Sequence, residues 1–236
     1  MQSTNHVFII GFGYIGQRIA RTELSRHHPV YTLARSTTSA ALAKHCGAIP
    51  IAGDLDDKSS LAKLPTKDAI VYFLAPPPSN GDIDPRLRAF LHGLNQNQDN
   101  VPTVIIYIST TGVYGDSQGA WIAETTPTKP TQARSRRRLD AERSLHQWAK
   151  TNPQTRCIIL RVAGIYGPEK LPIERLKRGE PLVDDKEKPA YINLIHADDL
   201  VQCCLAAADR GPANAVYNIC DGNPTTMLRY FYTIAK

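Results

Sequence analysis

Gly11, Gly13 and Gly16 stand in G-x-G-x-x-G spacing inside VFIIGFGYIGQRIA. The residues before them are apolar and β-rich, and those after them have helical spacing at Ile15, Ile19 and Leu24. A strand that turns through such an array into a helix can cradle a pyrophosphate. Gly11 permits the tight turn, Gly13 lets the backbone approach the phosphates, and Gly16 lets the helix pack close to the sheet. The N–H groups and partial positive charge of the helix N-terminus add attraction. Residues Gly11, Phe12, Gly13, Tyr14, Ile15 and Gly16 are therefore expected to bind a dinucleotide. A glycine-rich packing turn is the plain alternative.

About 20 residues further on, an NAD-binding chain usually carries an acid for the ribose 2′-hydroxyl. Here LARSTT puts Ala34 at that position, followed by Arg35, Ser36 and Thr37. No carboxylate repels a 2′-phosphate, and Arg35 can pair with one by charge-assisted hydrogen bonds. This favours NADP(H) over NAD(H), with Arg35 and Ser36 at the cofactor. The alternative for Arg35 is an ordinary solvated charge.

The elements that must position these groups alternate. Strand-like runs HVFIIG, PVYTLA, AIPIAGDL, AIVYFLAPPP, TVIIYIST and RCIILRVAG are separated by helix-like segments. Near-continuous apolar strands in β-α alternation predict an α/β fold with a parallel sheet covered on both faces. Residues 134 to 150 read as a helix whose apolar face is Leu139, Ala141, Leu145 and Trp148. From Gly167 the chain becomes charged and irregular. It then returns as INLIHADDLVQCCLAAADR, a strand and a helix whose N-cap is expected at Asp198 or Asp199. AVYNICDG reads as a last strand, and TTMLRYFYTIAK as a helix in which the chain stops, which raises the expectation of a truncated product or a short tail. The organisation expected is a core over 1–166, a charged insertion or substrate lobe over 167–192, and a return to the sheet with a C-terminal lobe over 193–236.

The 236 residues suffice for one large domain or a domain with a small appendage. Hydrophobic residues are 42 % and charged residues 21 %, ordinary for a soluble globular chain. No apolar run approaches the ~18 residues of a membrane span, and no signal-peptide pattern opens the chain. Five cysteines without framework spacing read as core thiols in a reducing compartment, and the expected location is the cytoplasm. No His/Cys cluster has zinc-site spacing, so no metal is expected. The net charge of +6 suits an anionic cofactor or a sugar-nucleotide substrate. The basic run near Arg134 lacks interleaved aromatics, which argues against nucleic acid as a partner.

The glycine loop, AGDL, YFLAPPP, ISTTGVYGD, ILRVAGIYGP and INLIHADDL together resemble the extended or atypical short-chain dehydrogenase/reductases, the NAD-dependent epimerase/dehydratase family. The resemblance runs over nearly the whole chain. The loop departs slightly, since the extended enzymes mostly carry G-x-x-G-x-x-G. It implies a doubly wound parallel-sheet Rossmann fold with a small C-terminal substrate lobe. It places Asp54 and Leu55 beside adenine, and Leu74, Ala75 and Pro76 along the cofactor. Ala163 and Gly164 fall near the nicotinamide. Thr110, with Ser109 beside it, is the hydroxyl expected at the reacting oxygen of a small polar carbonyl or hydroxyl substrate, a nucleotide sugar among them.

Such families carry a catalytic Y-x-x-x-K. Within KPTQARSRRRLDAERSL, alignment on Glu142 puts Arg134 at the Tyr position and Arg138 at the Lys position, on one helix face. Arginine has no accessible neutral form, so Arg134 cannot take a proton; it can stabilise an oxyanion or hold a phosphate. Arg138 can still donate to the nicotinamide ribose. A surviving reaction needs another acid: Tyr114 and Tyr166 are the candidates by family position and His196 is a third, the plain alternative being that both tyrosines pack at strand ends and His196 hydrogen-bonds to orient loops. Arg136 and Arg137 are expected on a solvated helix face. Arg175, Lys177 and Arg178 could meet a nucleotide diphosphate, although solvated charges are the simpler reading. Two functions are thus open: an oxidoreductase or epimerase/dehydratase with altered residues, or a non-catalytic NADP(H) sensor or scaffold. A homodimer through the 134–150 helix, with Trp148 at its interface, is also expected.

Overall fold

Strand residues point alternately to the two faces of a sheet, so a strand buried throughout needs cover on both. β1 (Val7–Ile10) meets that condition, with all four residues buried. In the computed structural model, which describes residues 6–61, 63–178 and 191–235, the first half of the chain alternates strand and helix, except that β3 and β4 are joined by a short 3-10 turn (Lys58–Leu61). After β1 come α1 (Tyr14–Ser25), β2 (Val30–Ala34), α2 (Thr37–His45), β3 (Ile49–Ala52), β4 (Ile70–Phe73), α3 (Pro85–Gln96), β5 (Val104–Thr110), α4 (Ala133–Thr151) and β6 (Arg156–Val162). The second half holds β7 (Gly164–Tyr166), α5 (Ile173–Lys177), β8 (Tyr191–Ile192), β9 (Leu194–His196), α6 (Ala197–Arg210), β10 (Val216–Ile219), β11 (Thr225–Thr226) and α7 (Met227–Ala235). No helix among the described residues is long and apolar enough to cross a membrane.

Seven strands form one parallel sheet in the order β10-β6-β5-β4-β1-β2-β3. This is the doubly wound α/β fold expected from the β-α alternation. Val7, Ile9, Tyr72 and Ile106 pack one face against Ile19 of α1 and Leu200 and Val201 of α6. Phe8, Ile10, Phe73 and Tyr107 pack the other against Leu87 and Phe90 of α3 and Leu145 and Trp148 of α4. The winding reverses between β1 and β4. In open α/β sheets, ligands bind beyond the carboxyl ends of the strands at such a point.

Four local expectations are corrected. RCIILRVAG is not one continuous strand: β6 ends at Val162, and after Ala163 the chain leaves the main sheet as β7 to pair with β9. Gly164 N–H donates to Asn193 O (3.1 Å), which turns it away. The N-cap of α6 is His196, whose Nδ1 accepts from Asp198 N–H (3.3 Å), while Asp198 and Asp199 occupy the first turn, where negative charge suits the helix N-terminus. Trp148 is buried between α3 and α4, with Nε1 donating to Asn95 Oδ1 (2.7 Å), so it offers no interface surface. Arg137 is buried as well, not solvated. Its turn of α4 packs on the loop before α3, where Nη1 donates to Gly81 O (2.6 Å), while Arg136 meets Asp82 (2.8 Å). Residues 179–190 of the charged segment, and the Arg175 side chain, lie outside the described residues; Lys177 pairs with Glu174 (3.0 Å).

Candidate functional site

The β1–α1 turn is built for close approach. Gly11 has φ +105°, and a Cβ there would lie 2.6 Å from Ala75 N. A Cβ on Gly16 would strike the Gly11 carbonyl oxygen. Gly13 differs: it is exposed, and a Cβ there would meet nothing within 4 Å. Gly13 is also the N-cap of α1, no side chain caps the helix, and its first turn carries no acid. The first turn thus has no side-chain cap and no acid, and nothing crowds its N-cap residue, the setting an anionic phosphate fills. The residues present fit a dinucleotide pyrophosphate on that observation. Ile15 is in the core, so only its backbone can serve. Tyr14 donates its hydroxyl to Pro168 O (2.6 Å).

A cleft of about 300 Å³ opens at the β1–β4 reversal. It brings Gly11, Phe12, Arg35, Ser36, Asp54, Leu55, Ala75 and Pro76 together, although these lie on four separate turns. Leu74 and Ala75 N–H both donate to Ile10 O (2.7 and 2.9 Å), which ties the β4 turn to the glycine loop. Ser36 caps α2: its Oγ accepts from Ser39 N–H (3.2 Å), and Ser39 Oγ accepts from Ser36 N–H (3.0 Å). Arg35 is exposed at the cleft. Arg86 of α3 also lines it, and no sequence motif marked that residue.

Further along the strand ends, Thr110 is half-exposed and its Oγ accepts from Gly112 N–H (3.1 Å). Ser109 is buried and donates to Glu142 Oε1 (2.5 Å). Glu142 pairs with Arg161, and Arg161 Nη1 donates to the Tyr114 hydroxyl (2.8 Å), which in turn donates to Asn218 Oδ1 (2.7 Å). Tyr114 is therefore 3 % exposed with its hydroxyl committed, not presented to a substrate. Arg161 and Asn218 were missed by sequence reasoning; the signal available was an arginine inside the otherwise apolar run CIILRV. Ala163 is nearly buried and donates to Ile219 O (3.0 Å), with Gly164 exposed beside it.

Arg134 and Arg138 part ways. Arg134 is exposed and donates to Gln132 Oε1 (2.9 Å). Arg138 is half-buried, with Nη1 donating to Tyr107 OH (3.0 Å) and Ala75 O (3.3 Å), so it reaches the cofactor edge of β4. Burial pushes the Tyr107 hydroxyl up, which keeps it a neutral partner. Tyr166 is half-buried; its ring meets His196 edge-on at 5.2 Å, and its hydroxyl has no hydrogen bond among the described residues.

The sequence model of the family described as "NAD dependent epimerase/dehydratase family" matches residues 7–220. Protein YeeZ of Escherichia coli K12 is 29 % identical over 228 residues, which cover 91 % of this chain and 77 % of that one. A functionally unknown conserved protein from Silicibacter pomeroyi has a similar structure, with TM-score 0.75 and 28 % identity over 94 % of this chain and 74 % of that one. The UDP-glucose 4-epimerase of Thermus thermophilus, solved in complex with NAD, matches in fold, with TM-score 0.80 and 19 % identity over 98 % and 82 % of the two chains.

Proposed function

We propose that this chain, which belongs to the NAD dependent epimerase/dehydratase family, binds NADP(H) at the β1–β4 cleft and oxidises or reduces a small polar hydroxyl or carbonyl substrate. A nucleotide sugar is the favoured class, in keeping with the named activity of fold neighbours. The carrying observation is Arg35: an exposed guanidinium, with no carboxylate at Ala34, at the mouth of a cleft that joins the glycine loop to the β4 turn. The first turn of α1 would hold the pyrophosphate, and Arg35 the 2′-phosphate. The nicotinamide, when bound, supplies hydride transfer.

The chain's own residues supply the rest. Thr110 donates its hydroxyl to the reacting oxygen. Arg138 uses the N–H groups not spent on Tyr107 and Ala75 to hold the ribose. Tyr166, whose hydroxyl makes no hydrogen bond among the described residues, exchanges the proton that Arg134 cannot. The setting proposed is the cytoplasm, where the five cysteines, all free, stay reduced. A homodimer through α4 would use its exposed Arg143, Gln147 and Lys150 in place of Trp148, and a monomeric mass by light scattering removes it.

Calorimetric titration with NADPH and NADH, repeated on Arg35→Asp, tests the cofactor. Tighter NADPH binding that the substitution weakens supports the reading, and binding of neither cofactor sinks it. A second reading, a non-catalytic NADP(H) sensor, is favoured by the exposed arginine at the tyrosine position. Cofactor redox change with a panel of sugars and carbonyls, dependent on Thr110, would count against the sensor.

A further inference from the structure

Arg35 lines the cleft together with Arg86, Asp54 and Leu55, the last of these next to Asp56 in the chain, and makes no hydrogen bond with the Asp56 carboxylate among the described residues. The reason lies in α3, 30 residues along the chain from Asp56. Arg86 grips Asp56 with both prongs, Nε to Oδ1 (2.8 Å) and Nη2 to Oδ2 (2.6 Å). Its Nη1 donates to Pro76 O (3.0 Å), which fixes the guanidinium to the β4 turn. The Arg86 side chain is 19 % exposed against 50 % for Asp56, so the arginine is the better anchored partner. Hydrogen bonding to Arg86, then its charge and that of Arg35, holds the Asp56 carboxyl below the usual carboxylate range, so it is ionised at neutral pH. Asp54 lies on the same turn, and its Oδ1 accepts from Asp56 N–H (3.0 Å).

We propose that Asp56 is an internal competitor for Arg35, that Arg86 holds it away, and that this clamp sets the affinity of the cleft for the 2′-phosphate of the cofactor. The inference rests on the NADP(H) reading of the same site. A planar fork on a carboxylate is directional and pre-organised, whereas Arg35 is a solvated side chain with free rotamers. With the clamp closed, Asp56 spends its lone pairs on Arg86 and Arg35 stays open to an incoming phosphate. With the clamp broken, Asp56 turns to Arg35 and occupies it.

The probes are 2′,5′-ADP and 5′-ADP, titrated calorimetrically; they need no turnover and differ only in the 2′-phosphate. The quantity read is the ratio of their affinities. Arg86→Gln is expected to lower the ratio about two- to five-fold, the range of an exposed ion pair. Asp56→Asn is expected to leave the ratio at or above the wild-type value, because the clamp already holds the competitor away. The double variant is expected to recover at least the wild-type ratio, because the competitor has gone along with its keeper. A double variant as poor as Arg86→Gln would show that Arg86 acts otherwise, and would overturn the inference while leaving the cofactor reading intact. A ratio lowered by Asp56→Asn, in a wild type that prefers 2′,5′-ADP through Arg35, would also overturn it. A wild type without preference that gains one in Asp56→Asn would sink the NADP(H) reading and the clamp with it, because Asp56 would already occupy Arg35 in the presence of Arg86. No preference in either protein would sink both. Thermal melts of each variant show whether the turn still folds.

Discussion

Arg161 Nη2 lies 2.8 Å from Glu142 Oε2, and the two side chains are only 8 % and 2 % exposed. Strand β6 and helix α4 are thus joined by an ion pair almost out of water, which Ser109 completes on the carboxylate and Tyr114 on the guanidinium. Removing one partner leaves the other charged, buried and unpaired. Glu142→Ala is expected to cost about 3–5 kcal/mol in urea unfolding. An apolar replacement of both residues should recover part of that loss; a double variant worse than the single would refute the account.

The glycines of the β1–α1 loop should separate folding from binding. Gly11→Ala forces a Cβ onto the Ala75 backbone at positive φ and is expected to destabilise by about 2 kcal/mol or more. Gly13→Val enters open space at φ −89°, so its melting temperature should stay near wild type. Its NADPH affinity should fall about tenfold or more, the cost of lost hydrogen bonds to a charged group. Unchanged NADPH affinity in Gly13→Val would remove the phosphate from that loop.

Asp84 carries a pH signature. It is fully buried; Oδ1 accepts from Arg86 and Leu87 N–H (3.0 and 3.2 Å), and Oδ2 makes no hydrogen bond among the described residues. Burial pushes its carboxyl up, against the pull of those hydrogen bonds and of Arg138. The folded protein therefore holds this proton more tightly than the unfolded chain. The resulting stabilisation is complete below the unfolded pKa and is lost as pH rises through the folded pKa. Asp84→Asn, which keeps an acceptor for the cap, should be at least as stable as wild type at neutral pH. Its advantage should shrink as pH falls, because only the wild type gains. Melting curves of both proteins across an acid series check this, and a gap that widens toward low pH would contradict it.

For turnover, Thr110→Val and Tyr166→Phe should each lower the rate about 10²-fold or more while NADPH affinity stays unchanged. Tyr114→Phe should instead act through stability, since its hydroxyl serves Arg161 and Asn218. A Tyr114→Phe variant that folds as well as wild type but loses turnover would reverse the two roles.

The glycine loop and the strand alternation were legible because they are local: strand, turn and helix follow one another within VFIIGFGYIGQRIA, and each glycine answers a steric demand close by. Arg137 and Trp148 were misjudged because helix periodicity shows which residues share a face but not what the loop before α3 or the next helix lays against it. The break after Val162 was hidden because Ala163 and Gly164 look like the end of any apolar strand. What turns the chain there is Asn193, 29 residues on.

The amino-acid sequence by itself determined the doubly wound sheet, the glycine-rich turn after β1 and the absence of a Y-x-x-x-K from residues 129–145, since each depends on residue type at short spacing. Only the tertiary structure decided what the charged groups do. Arg86 of α3 meets Asp56 of the turn after β3, and Arg161 of β6 meets Glu142 of α4, because the parallel crossovers bring distant parts of the chain together. Whether a charge is spent or free depends on which counter-charge arrives there, and spacing along the chain does not encode that distance.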